Sequence, residues 1–371
     1  LSDDSALELR ERSARFLLLA DFDPTRFYRQ SMRRPELALV FPLALAACSG
    51  GHFSDAPGAP TTVTAACQDV AQSRCNRRVN CTSSVDSVGA SLVRVYGDLD
   101  TCLTREALQC RNQATAAGAG ATPAGLERCA AAVDTMACAD FFDNVPPPAC
   151  LPGGARAAAE PCAFNGQCSS GYCGGTRQNI CGRCDTAPGA GGDCTDSNCG
   201  RDLICVASTN LCQSRSGAGA SCSSAQPCRS DLNCISTSGA AATADSAGTC
   251  QAAATTVGSS CGTGTTNCDA LLGLYCGGTK SARTCAALNY APAGMPCGLL
   301  PDGSRVTCIA GDCYTDTGLA SSTDLGTCKA FASDGTACDT ELGPTCLNPA
   351  RCVTTNGSAG VCTVALGGSC G

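Results

Sequence analysis

Apolar positions along this chain follow three regimes. Behind Met32-Arg33-Arg34-Pro35-Glu36 they run together, from Leu37 through Val40, Phe41 and Leu45 to Ala47, and stop at Cys48. From Cys67 to Cys150 they recur at helical spacing. Cys67, Val70, Ala71 and Cys75 share one face, as do Val85, Val88, Leu92 and Val95, and Leu103, Ala107 and Cys110 form a third stripe. Thr122-Pro123 reads as the N-cap and first position of a further helix, through Cys129 to about Met136. Val145-Pro146-Pro147-Pro148-Ala149-Cys150 marks a boundary. From about residue 160 the periodicity stops, and stretches rich in Gly, Ser and Asn between cysteines predict turns and hairpins with little helix.

Composition explains the change of regime. The 371 residues include 35 Cys and 42 Gly, no Trp, and only 4% aromatic side chains. A chain this rich in cysteine and this poor in large apolar residues relies on cross-links in place of a deep core. Net charge is −7, and only two lysines, Lys280 and Lys329, are present. Nucleic acid needs a cationic footprint, so it is excluded as a partner.

The segment 32–47 has a basic start, an apolar run of about 11 residues and a small-residue end, which is a signal peptide and too short to span a bilayer at ~20 residues. Leu45-Ala46-Ala47-Cys48 resembles the lipobox of bacterial lipoproteins, which implies cleavage before Cys48 and a lipid on its thiol. The plain alternative is an ordinary secretory signal with Cys48 free or disulfide-bonded. Residues 1–31 then read as an upstream extension, and 48–66, rich in Pro, Gly, Ala and Thr, as a flexible tether.

Export makes disulfides the default state of the remaining 34 cysteines. In 67–150 the eight cysteines include two Cys-x7-Cys helices, Cys67/Cys75 and Cys102/Cys110. Packed antiparallel, these can be stapled as Cys67–Cys110 and Cys75–Cys102. From 160 to 371 the cysteines fall into tandem groups of four. The first group is Cys162, Cys168 and Cys173 with Cys181 or Cys184, and the second is Cys194, Cys199, Cys205 and Cys212. Further groups begin at Cys222, Cys261, Cys297 and Cys338, most with a Gly shortly before. Cys370 is either the start of a truncated seventh group or pairs elsewhere. Small units of this size bury too little to fold without staples. The expected architecture is therefore small and disulfide-rich: an N-terminal α-helical, cysteine-stapled domain, then an extended row of short four-cysteine modules with little regular structure, each touching mainly its neighbours.

The spacing Cys162-x5-Cys168-x4-Cys173-x7-Cys181-x2-Cys184 resembles the Dickkopf N-terminal cysteine-rich domain, over residues 160–212. Gly171-Tyr172-Cys173 and Leu274-Tyr275-Cys276 match its aromatic-Cys step, while its Cys-Cys doublet is missing around Cys199. Only the scaffold carries over from that extracellular family, not its partners. The whole arrangement is similar to uncharacterised cysteine-rich lipoproteins of Gram-negative bacteria.

Candidate chemistry is sparse. The single His, His52, sits in the expected tether, which removes Ser/His/Asp and Cys/His catalysis. Cys181-Gly182-Arg183-Cys184 has dithiol spacing, yet no βαβ pattern surrounds it. No cluster has zinc or calcium ligand spacing. Tyr172 and Tyr275 are either partner contacts or aromatic covers on adjacent disulfides. No catalytic residue, metal or cofactor is expected. The reading is an exported, non-enzymatic binding, adhesion or spacer lipoprotein at the outer membrane or cell surface, held by the lipid on Cys48 and facing a protein or glycan ligand. The alternatives are an exported thiol–disulfide oxidoreductase using Cys181 and Cys184, or a protease inhibitor.

Overall fold

The computed structural model describes residues 61–82, 89–175, 179–195, 197–236, 247–262, 267–279, 282–321, 324–354 and 357–370, all within one unit, Ala59–Gly371. The upstream extension, the signal peptide, Cys48, His52 and most of the tether lie outside the described residues. Among the described residues no helix is long and apolar enough to cross a membrane.

Helix α1 (Val63–Thr82) opens on Thr62, whose Oγ1 accepts the Ala65 N–H at 3.1 Å. Its first turn uses residues expected in the tether, and Ala66 there is fully buried. The α1 stripe Cys67, Val70, Ala71, Cys75 is buried. Cys67 is bonded to Cys110 and Cys75 to Cys102. Bonds in that reversed order hold α1 antiparallel to the helix carrying Cys102 and Cys110, α3 (Leu99–Ala114), which is capped by the Asp98 carboxylate accepting the Thr101 N–H at 2.7 Å. Between them lies α2 (Ala90–Tyr96), which carries Leu92 and Val95 of the expected second stripe. Val85 and Val88 lie outside the described residues. Helix α4 (Pro123–Thr135) begins on Thr122 with Pro123 in its first turn, and a short α5 (Cys138–Phe142) follows. Cys81–Cys138 and Cys129–Cys150 staple these two helices in place.

The remaining chain forms short strands in small sheets, and six four-cysteine modules share one wiring. The first cysteine bonds the third and the second bonds the fourth: Cys162–Cys173 with Cys168–Cys184, then Cys194–Cys205 with Cys199–Cys212. The same order holds in the four modules beginning at Cys222, Cys261, Cys297 and Cys338. The third and fourth cysteines face each other across an antiparallel pair in every module, as in Cys205↔Cys212 and Cys352↔Cys362. Their side chains therefore leave one face of the hairpin together and reach the two loop cysteines, and in five of the six modules, all but the one at Cys194, these cysteines form a buried core.

Three residues before each first cysteine the backbone turns through positive φ, at Gly191, Gly219, Gly258, Gly294 and Gly335 (φ 76° to 87°) and at Ala159 (φ 66°). The amide at that residue donates to the carbonyl of the fourth cysteine at 2.7–2.8 Å in all six modules. The glycines preceding the modules are thus hairpin locks: the left-handed turn aims that N–H at the strand, and only glycine takes it without strain. A second glycine position is set first by the partner strand's backbone and then by the disulfide. A Cβ on Gly248 would lie 2.6 Å from Ile235 O and 3.0 Å from Cys234 Sγ, and one on Gly326 2.6 Å from Tyr314 O and 2.9 Å from Cys313 Sγ.

The extended row expected from the sequence is not what forms. The first, third, fifth and sixth modules pack against the helical part, and they do so with the same edge, the turn around the second cysteine. Gln167 Nε2 donates to Ala117 O at 2.8 Å. Arg229 pairs with Asp140 at 2.8 Å, and the Ser230 N–H donates to Asp143 Oδ1 at 3.0 Å. The Ala310 N–H donates to Val93 O at 2.9 Å. Leu347 packs on Leu92 and Tyr96, beside Asn348. Stacked repeats related by similar steps present one face inward, and here the helices occupy that face. Cys370 bonds Cys181, returning the chain's end to the first module.

Candidate functional site

Charged residues sit on the cysteine face of the helices. Glu106 lies one turn from both Cys102 and Cys110 on α3 and is only 3% exposed. Its Oε2 accepts from Arg74 Nε of α1 at 2.7 Å, and its Oε1 accepts from Tyr96 Oη of α2 at 2.8 Å. Asn348 of the sixth module reaches in, with Nδ2 donating to Tyr96 Oη at 3.3 Å and to Gln109 Oε1 at 3.2 Å. Arg78 donates to Ser91 Oγ at 2.8 Å, its guanidinium 5.5 Å from the ring centres of both Tyr96 and Phe141.

Burial alone would raise the Glu106 carboxyl, but the Arg74 charge, the Tyr96 hydroxyl and Arg78 together bring it below its ordinary value. Arg74 is raised by the adjacent carboxylate, and Arg78 is lowered by burial. Tyr96 is raised, by burial and then by the Glu106 charge, so it stays a hydroxyl and a donor.

Beside this network opens a cavity of about 370 Å³ between the helices and the first module. Arg74, Glu106, Gln109 and Gln113 line it from α1 and α3, and Phe164 and Asn165 from the first module. Arg351 of the sixth module also borders it, and its Nη1 donates to Asn179 O of the first at 3.4 Å. The cavity exists only because the modules fold back on the helices. A smaller one of about 240 Å³ adjoins it, sharing Ala121, Leu126 and Cys129.

Of the scaffold cysteines singled out in the sequence, Cys110 borders the cavity; the dithiol and aromatic candidates fall elsewhere. Cys181 and Cys184 do not pair with each other: Cys184 bonds Cys168 inside the first module, and the exposed Cys181 bonds Cys370. Tyr172 is buried and donates to Asn198 O of the second module at 2.7 Å, a structural link between modules. Tyr275 is half-buried over Gly277. Sulfurs of the first, second and fourth cysteines of several modules lie within 4.8 Å of one another, but each is in a disulfide and offers no thiolate to a metal.

Sequence reasoning missed the cavity and its polar network. One signal was present: Glu106 breaks an otherwise buried stripe at four-residue steps between two bonded cysteines, where a charge needs a partner. Compared with protein-family models, with curated proteins and with solved structures, the chain matches none.

Proposed function

We propose that this is an exported, non-enzymatic binding protein, lipid-anchored through Cys48, whose disulfide-locked modules and helices present a ligand-binding surface outside the cytoplasm. One observation carries the reading. Every cysteine from Cys67 to Cys370 is used in 17 disulfides, with one wiring repeated six times. Such a set forms and persists in an oxidising compartment, where it resists unfolding and proteolysis. Six cross-linked modules around a helical centre suit durable display, and the helices add a cavity with a polar lining. The thiol–disulfide reading gains no support, because Cys181 and Cys184 belong to separate disulfides.

The test is the intact mass of protein recovered from its native membrane fraction, alkylated without reduction. Almost no thiol label and a diacylglycerol-sized increment on Cys48 are expected. Extensive labelling, or an unlipidated Cys48, removes the anchored-display reading. Binding of the purified protein to envelope preparations then tests the functional half, and absence of retention overturns it.

A further inference from the structure

We infer that the cavity beside the Arg74–Glu106 pair is a saccharide site, taking one neutral, polyhydroxylated ring. The inference rests on the binding-protein reading above and deepens it.

The lining is unusual for a chain this rich in Ala and Gly. Five carboxamides border one space: Gln109, Gln113, Asn144, Asn165 and Asn198. A carboxamide sets a donor and an acceptor side by side, which matches adjacent hydroxyl groups, each itself donor and acceptor. Two of the five are oriented by the protein. Asn165 Oδ1 accepts the Cys173 N–H at 2.9 Å, and Gln109 Oε1 accepts from Asn348 at 3.2 Å, so each keeps its amide N–H2 for another acceptor. Among the described residues, the side chains of Gln113 and Asn144 make no hydrogen bond.

Apolar surface completes the match. The half-buried Phe164 offers a ring for the C–H face of a sugar, and Val70 and Leu126 add apolar surface elsewhere in the lining. At about 370 Å³ the space falls at the lower end of small-ligand sites, ~300–1,000 Å³. The Arg74 charge is spent on Glu106, so the centre of the lining is near neutral; the remaining cation, Arg351, stands at the border with its Nη1 on the Asn179 carbonyl, which makes inorganic phosphate the necessary comparison probe. An extended peptide would ask for an open sheet edge instead. The lining here comes mostly from helices and turns.

The experiment uses the full chain and saturation-transfer NMR with glucose, galactose, mannose and N-acetylglucosamine as separate probes, and with inorganic phosphate and an alanine tripeptide for comparison. At least one neutral sugar should bind, and affinity should fall at least tenfold in Gln113→Ala and in Phe164→Leu. Gln113 is exposed on α3 and Phe164→Leu keeps bulk, so neither change should unfold the protein. Gln72→Ala, at an exposed position of α1 outside the lining, should bind as the parent does. Binding of phosphate or tripeptide alone, or sugar binding unchanged by both lining variants, overturns the inference. Retention on envelope preparations separates the two readings. If the parent is retained while no neutral sugar binds it, the display reading stands and the saccharide site fails; if the parent itself is not retained, the display reading fails.

Discussion

Cys181 is disulfide-bonded to Cys370, 189 residues further along the chain, while its near neighbour Cys184 bonds Cys168. The other 16 bonds close loops within the helical part or within one module. Cys181–Cys370 alone joins distant parts of the chain. Beside it, Arg351 of the sixth module donates to Asn179 of the first. The bond therefore holds together two walls of the cavity.

Replacing both partners, Cys181→Ser with Cys370→Ser, removes this bond without leaving a lone thiol. Stability should fall by about 2–4 kcal/mol, because the unfolded chain regains the freedom the long loop denied it. The six modules should keep their pairings. Thermal unfolding, with disulfide mapping of unreduced peptides, checks this; an unchanged midpoint would show that packing alone holds the ends.

The hairpin lock predicts opposite outcomes at equivalent positions. Ala159 holds φ 66° where five other modules have glycine. Ala159→Gly should stabilise by roughly 0.5–1 kcal/mol, the relief of a left-handed turn less the added freedom of the unfolded chain. Gly335→Ala should destabilise by about 1–2 kcal/mol from backbone strain alone, since nothing lies within 4 Å of the added Cβ. Denaturant midpoints of the two variants should move in opposite directions.

Glu106 makes stability depend on pH. Its folded-state carboxyl is held below the ordinary value by Arg74, Tyr96 and Arg78 against the opposing effect of burial. The unfolded state then takes up its proton first as pH falls. The contribution is present above the ordinary glutamate value, about 4.3, and is lost as pH drops through the folded one. Glu106→Gln should flatten that acid limb. It should cost about 2–3 kcal/mol at neutral pH, less than a fully buried pair, because the Arg74 side chain is 37% exposed. Melting temperature against pH for both proteins gives the comparison.

Arg105 ties α3 to the sixth module. It meets both oxygens of Asp334 at 2.7 Å and donates to the carbonyls of Asn348 and Leu347 at 2.7 and 2.9 Å. Its side chain is 11% exposed. Arg105→Lys keeps the charge but loses the planar fork, and should cost about 1–3 kcal/mol. Hydrogen exchange should quicken near Leu347 while the second module is unaffected.

Much of the local structure was legible before any coordinates. Cys67/Cys75 and Cys102/Cys110 share a seven-residue gap, and helical spacing puts each pair on one face, so their reversed pairing is readable as geometry. Thr122-Pro123 announces α4 by its missing N–H and its hydroxyl cap. The grouping of cysteines in fours marks the modules because each must close its own core. These are properties of neighbours in the chain, set by periodicity, capping and loop closure, and sequence carries them directly.

Tertiary structure decided the rest. Which of Cys181 and Cys184 completes the first module depends on where Cys370 arrives, and that position depends on how six modules turn around the helices. The turns at the second cysteine read as solvent loops until α2, α3 and α5 are placed against them. Gln109, Asn165 and Arg351 border one cavity although they come from three separate segments of chain. The sequence by itself determined the two staples between the cysteine-bearing helices and the repeated four-cysteine unit, because both arise from spacing over a few tens of residues; only the packed structure determined the wiring inside each unit, the Cys181–Cys370 bond and the cavity, because each depends on which distant segments meet.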